Sequence, residues 1–233
     1  MNLILCATPR SGSTLLCALL RSSGVAGWPE SWFRPQDMGE FAADWRIARA
    51  DGSYVWSDYL TAARAAGSSA NGVFAVRVMW DHLAPLARRL GVDGVTPALL
   101  ERTFGPCRYV LLTRGDLVAQ AVSRQKAEVS GMWHLGIEEA LHPRRPVYDF
   151  AAISGYIAEA EADERAWDAW FARHDILPLR LRYEPLSAAP EETARRVLRH
   201  LDLPDDVPMS ARNIRMADSV SANWAARYRA ERG

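Results

Sequence analysis

The segment TPRSGST, residues 8–14, brings four hydroxyl side chains, one arginine and one glycine together directly after the apolar run LILCA at 3–7. Leucines resume at Leu15 with helical spacing, so the turn sits where a strand hands over to a helix. At such a junction Gly12 permits a tight turn. The amides of Ser11 to Thr14 point inward, and the helix dipole favours negative charge. Arg10 adds a formal charge, and Ser13 and Thr14 add hydroxyl donors. The chemistry this set suits is capture of an anion, a phosphate above all. The competing reading is a plain helix cap at Ser11-Gly12-Ser13.

The segment is not a Walker A loop, GxxxxGKS/T, because the lysine is missing and the loop is shorter. No strand ends in a magnesium-holding aspartate; the third ends in Thr113-Arg114. A triphosphate kinase needs those parts. Sulfuryl transfer needs them less, because the moving group carries one negative charge rather than two. A second arginine, Arg114, follows four apolar residues. Asp116, Gln120 and Ser123 are spaced by four and three, so they share one face of the next helix.

These residues must be held by alternating strands and helices. Strands are expected at 3–7, 73–78, 108–113 and 176–182. Helices are expected at 13–23, 59–66, 82–90, 115–130, 148–173, 190–201 and 221–231. Residues 25–58 read as a loop with short helical pieces. Residues 134–146 carry two prolines and read as a loop. The alternation implies a single α/β domain over residues 1–233, a parallel sheet flanked by helices. In such sheets ligands sit at the carboxyl ends of the strands, where both 8–14 and 113–114 fall.

Composition narrows the partners. The 28 Lys and Arg residues equal the 28 Asp and Glu, which gives no nucleic-acid footprint and no basic membrane patch. Lys126 is the only lysine, and arginine suits forked recognition of phosphate. No apolar stretch approaches the roughly 20 residues of a membrane span. Cys6, Cys17 and Cys107 fit neither a zinc site nor a disulfide framework. With an N-terminal apolar run too short for a signal peptide, they imply a reducing cytoplasm.

Five segments occur in order: TPRSGSTLL (8–16), GVAGWPESWF (24–33), FAVRVMW (74–80), TRGDLVAQAVS (113–123) and MADSVSANWAARYR (216–229). Together they resemble the Stf0-type sulfotransferases over nearly the whole chain. The resemblance implies a P-loop-like sulfotransferase fold and the donor 3′-phosphoadenosine 5′-phosphosulfate, with no metal. It implies that Arg10, Ser11, Gly12, Ser13 and Thr14 hold the 5′-phosphosulfate, and that Arg114 and Ser123 hold the 3′-phosphate. Arg10 also stabilises charge on the leaving phosphate. The acceptor hydroxyl needs a proton acceptor. The family places a glutamate in the loop after the first helix, and ungapped comparison puts it on Ser31, with Glu30 one residue earlier. Glu30 is taken as the base, ahead of His82 and His134. Arg77, at the end of the second strand, either touches the sulfuryl group or forms an ion pair supporting the loop. Arg212 or Arg215 either reaches the 3′-phosphate or is solvated.

The acceptor is expected to be a small molecule or carbohydrate. Trp28, Trp32, Trp45, Trp56, Trp80 and Trp133 suit ring stacking and core packing equally well. Two rival functions stay open: a nucleotide-dependent kinase on the same fold, and a non-catalytic nucleotide-binding module. An oligomer also stays open.

Overall fold

The computed structural model describes residues 1–131, 145–210 and 219–233. His134, Trp133, Arg212 and Arg215 lie outside the described residues, as does most of the loop expected at 134–146. Strand β1 (Asn2–Ala7) leads through the 8–12 turn into α1 (Ser13–Ser22). Helices α2 (Met38–Asp44) and α3 (Trp56–Gly67) precede β2 (Ala75–Met79). A 3-10 turn (Trp80–His82) runs into α4 (Leu83–Arg89). Then come α5 (Pro97–Phe104), β3 (Cys107–Thr113), α6 (Leu117–Ser130) and α7 (Phe150–Arg173). The order closes with β4 (Leu179–Arg182), α8 (Tyr183–Ala188), α9 (Pro190–His200) and α10 (Ser219–Arg232).

The described strands form a parallel four-stranded sheet in the order β2-β1-β3-β4. Parallel neighbours need helical crossovers on the faces, so both faces are buried. The period of two divides each strand between two cores. Ile4, Cys6, Val76, Val78 and Leu111 face a layer that includes α3, α4, α5 and α7. Leu3, Leu5, Ala75, Val110 and Leu112 face α1, α8 and α9. A third cluster joins α6, α7 and α10 through Val122, Ile153 and Tyr228.

The strand order creates the site. From β1 the chain first moves to β2 on one side, then crosses over to β3 on the other. The turns after β1 and β3 therefore face each other across a topological switch point, where open α/β sheets bind ligands. Helix α7 crosses the same edge, and its Trp167 donates through Nε1 to the Ala7 carbonyl at 3.4 Å.

Candidate functional site

The turn after β1 is wound tightly. Arg10 and Gly12 both take positive φ, 64° and 91°. The Ser11 hydroxyl and amide both donate to the Thr8 carbonyl, at 2.8 and 3.2 Å. Gln120 on α6 clamps the turn from the far side, donating through Nε2 to Thr8 Oγ1 at 2.9 Å and to the Pro9 carbonyl at 2.7 Å. Gly12 is required twice over. Its φ suits glycine, and a Cβ there would lie 2.5 Å from Tyr183 Cδ2. No side chain caps α1, and its first turn holds no acidic residue. Its leading amides and dipole thus face the switch point without an internal anion.

The turn after β3 is the opposite case. Glu184 accepts from the amides of Gly115 and Asp116 at 3.2 and 3.1 Å, and Asp116 caps Ala119 at 3.0 Å. Arg229 of α10 grips both Asp116 oxygens at 2.8 Å. Burial pushes the Asp116 pKa up, but the Ala119 amide and Arg229 outweigh it and hold the carboxyl below its ordinary value. The start of α6 is therefore filled by the protein's own carboxylates. Of the two helix starts at the switch point, α1 is the one without a capping side chain among the described residues.

Arg114 spans the two turns. Its guanidinium lies 4.2 Å from the Tyr183 ring centroid, and Nη1 reaches the Arg10 carbonyl at 3.5 Å. Its Nε is buried with no hydrogen-bond partner among the described residues, an orphan donor of the kind an anionic ligand satisfies. Burial lowers its pKa, with Tyr183, Asp116 and Glu184 opposing. Ser123 does not stand apart from the first turn, because Arg10 Nε donates to Ser123 Oγ at 3.0 Å. Arg10 and Ser123, expected on different phosphates, are in direct contact. Glu164 of α7 also reaches this edge. Burial raises its pKa, and the Arg114 amide opposes.

Arg77, expected at the end of its strand, lies in the middle of β2 opposite Leu5, because β2 runs on to Met79, and there the structure decides between neighbours. The segment at 28–32 runs from the end of α3, where the Trp28 amide donates to Gly67 O at 2.9 Å, to the side of β2, where the Arg77 amide donates to Glu30 O at 3.0 Å and Trp32 Nε1 to Ala75 O at 3.2 Å. Ser31 turns inward and is 3% exposed. The Glu30 side chain stays 34% exposed and pairs with Arg77 Nη2 at 2.6 Å. Glu30 Oε1 also accepts from the Ser31 amide at 2.8 Å. Both bonds fall on Oε1, and Oε2 has no hydrogen bond among the described residues. Arg77 joins this corner to the phosphate loop, with Nε on Ser31 Oγ at 2.9 Å and Nη1 on Thr14 Oγ1 at 3.1 Å. The ion pair foreseen as one option for Arg77 is present.

His82 is buried. Its Nδ1 accepts from the Met79 amide at 3.4 Å, and burial pulls its pKa down to about 4. It is neutral at physiological pH and closes the turn after β2. The tryptophans are mostly core. Trp32, Trp45 and Trp56 pack with Phe41 and Tyr59. Trp28 is exposed but lies against Arg21 at the far end of α1. Of the five of these that are described, Trp80 alone sits at the strand ends, edge-on to Trp167.

Tyr183 and Glu184 were missed from the sequence. Their signal was position, because they directly follow β4 at the edge where sites form. Arg229 lay inside a quoted motif, but only the fold brings it to Asp116. Among the described residues no group of three or more His, Cys, Asp or Glu side chains is placed to hold a metal ion. Among them no helix is long and apolar enough to cross a membrane.

A parallel α/β sheet with arginines and an uncapped helix start at its switch point is an arrangement found in group-transfer proteins. Among these, the profile of the Stf0 sulphotransferase family matches residues 2–231, and the chain belongs to that family. It is 29% identical over 252 residues to the trehalose 2-sulfotransferase of Mycolicibacterium smegmatis, covering 96% of this chain and 92% of that protein. It is 28% identical over 252 residues to the trehalose 2-sulfotransferase of Mycobacterium tuberculosis, covering 97% and 93%. The protein is thus a sulfotransferase.

Proposed function

We propose that this sulfotransferase takes 3′-phosphoadenosine 5′-phosphosulfate as donor and acts in the cytoplasm, as one domain, on a hydroxyl of a small-molecule or carbohydrate acceptor. Ser11, Gly12, Ser13 and Thr14 hold the phosphosulfate at the start of α1. Arg114 and Ser123 hold the 3′-phosphate. Arg10, tied to Ser123, stands between the two anions and answers charge on the leaving phosphate. The observation that carries this reading is the uncapped start of α1 facing the buried Arg114 Nε, unpartnered among the described residues, across the switch point. These residues fit a bisphosphorylated nucleotide, since amides, hydroxyls and arginines supply donors without a metal.

In the transfer step the acceptor oxygen bonds to sulfur in line as the sulfur–oxygen bond to the 5′-phosphate breaks. The electron pair of that bond leaves on the phosphate, and the acceptor proton passes to Glu30 Oε2. Positioning and fixed electrostatics supply most of the rate gain.

The test is titration of 3′-phosphoadenosine 5′-phosphate into the protein without magnesium, with ATP as control. It is followed by transfer assays over an acceptor panel that begins with trehalose, the sugar in the relatives' name. Selective bisphosphate binding, lost in Arg114→Ala, supports the donor site. A preference for magnesium-ATP overturns it. Glu30→Gln should bind the bisphosphate normally and lose roughly 100-fold or more in turnover, the usual size of a general-base effect. Turnover near wild type removes Glu30 from the mechanism.

A further inference from the structure

Arg77 is 8% exposed, and all three of its guanidinium nitrogens are engaged. One bond goes to each of three groups with different duties: Ser31 in the buried turn, Thr14 in the phosphate loop, and Glu30 at the mouth. Arginine only donates. The Thr14 and Ser31 oxygens therefore accept, and each hydroxyl proton is left to point elsewhere. For Thr14, at the second position of α1, that leaves its proton for an anion at the helix start. For Glu30 the bond at Oε1 fixes the carboxylate plane and with it the direction of Oε2.

We propose that Arg77 is a positioning residue of the transfer reaction: a strut, anchored on Ser31 and on Thr14 of the phosphosulfate loop, that sets the Glu30 carboxylate. The proton acceptor and the phosphosulfate loop are thereby held in register. The proposal rests on the reading of Glu30 as the base. The chemistry of the fork supports it. A lysine nitrogen cannot meet three acceptors arranged around a plane in this way. A buried cation kept only for stability is poorly explained, because burying an ion pair brings little net stability over apolar packing. Register between base and donor has a large effect on rate, since a misplacement of about 1 Å costs on the order of 100-fold.

The experiment is a double-mutant cycle between Arg77→Met and Glu30→Gln. Bisphosphate affinity, acceptor KM and kcat are measured for each protein. Arg77→Met is expected to bind 3′-phosphoadenosine 5′-phosphate within about threefold of wild type and to move acceptor KM little. Its kcat falls by roughly 100-fold. The double variant is expected to be no more than about threefold slower than Glu30→Gln, because the strut acts through the group already removed. Arg77→Lys keeps the charge and recovers only a minor part of kcat. If Arg77→Met does not fold, the cycle is run with Arg77→Lys and must show the same non-additivity.

Three results overturn the proposal: single losses that multiply in the double variant, bisphosphate affinity that falls together with kcat, or an unchanged kcat in Arg77→Met. A Glu30→Gln protein with wild-type turnover overturns the base assignment itself. A Glu30→Gln protein slowed about 100-fold, with losses that multiply in the double variant, overturns the strut alone.

Discussion

Replacing Gly12 by alanine tests whether the donor loop is built as described. The backbone there has φ 91°, and the new Cβ would stand 2.5 Å from Tyr183 Cδ2 and 3.5 Å from Leu186 Cδ2. Holding an L-residue in the left-handed region costs roughly 1–2 kcal/mol. Relieving the contact means moving the Tyr183 ring by about 1 Å against Leu186, which is fully buried. Overpacking of that kind costs about 1–3 kcal/mol. Gly12→Ala should therefore lose about 2–5 kcal/mol, which for a chain of this size lowers Tm by roughly 5–15 °C. The same ring carries the Arg114 guanidinium, so the donor site moves with it. Calorimetric titration of 3′-phosphoadenosine 5′-phosphate should show affinity reduced tenfold or more in protein that is still folded at the assay temperature. Adding Tyr183→Ala should return the contact part of the stability loss and leave the backbone part. The two changes should thus couple by about 1 kcal/mol or more in urea unfolding. A Gly12→Ala protein within about 0.5 kcal/mol of wild type, or strictly additive losses, refutes the packing of Tyr183 on the loop.

Two further outcomes follow from the charges. Arg229→Ala removes a half-exposed pair on Asp116, so unfolding in urea should change by under about 1 kcal/mol; a loss above 2 kcal/mol means that α10 is anchored mainly through this contact. His82, with its folded pKa lowered to about 4 from 6.5, favours folding above pH 6.5 and withdraws that support as pH falls toward 4, at up to about 1.4 kcal/mol per unit. Asp163, half-buried and near Asp81, has its pKa raised by that burial to about 6 from 3.8, so its contribution is full below pH 3.8 and is lost as pH rises through 6. The two oppose each other between pH 4 and 6. Asp163→Asn should therefore steepen the fall in urea midpoint below pH 6, and an unchanged pH profile counts against the pairing.

What the sequence carries about this fold is local. LILCA, VFAVRV and RYVLLT are short apolar runs buried on both faces, so their strands were legible from pattern alone. Helix α5 was not anticipated, although its start carries readable signals. Thr96 caps Leu99 at 3.2 Å, and Pro97 takes the first helical position. The strand expected at 176–182 shrinks to Leu179–Arg182, because Ile176 folds back onto Phe171 at the end of α7. The tryptophans show the limit of composition. Six aromatic rings between donor motifs read alike in sequence, while among the five described the fold sends Trp28 to the far end of α1 and only Trp80 to the strand ends.

The site was legible where one segment supplies it and opaque where two must meet. The TPRSGST turn is complete within seven residues, and its hydroxyls, glycine and uncapped helix start are local facts. Arg10 and Ser123 are 113 positions apart, and their contact depends on β1 and β3 being neighbours with the register Ala7 to Leu112. Arg77 and Glu30 meet because the loop after α1 runs beside β2, which no spacing rule encodes. That geometry also supports the proposal that Glu30 serves as the base, although it stands one residue before the position the resemblance implies. Neighbouring residues of an extended segment face opposite ways, so Ser31 takes the inner position and Glu30 the outer one. An arginine with three nitrogens can hold both, bonding the inner hydroxyl and the outer carboxylate at once. A shorter, single-headed cation in β2 would secure one of them and leave the other unplaced. The fork at position 77 and the shifted glutamate at position 30 are therefore best read as one arrangement, and exchanging either alone should not restore the other.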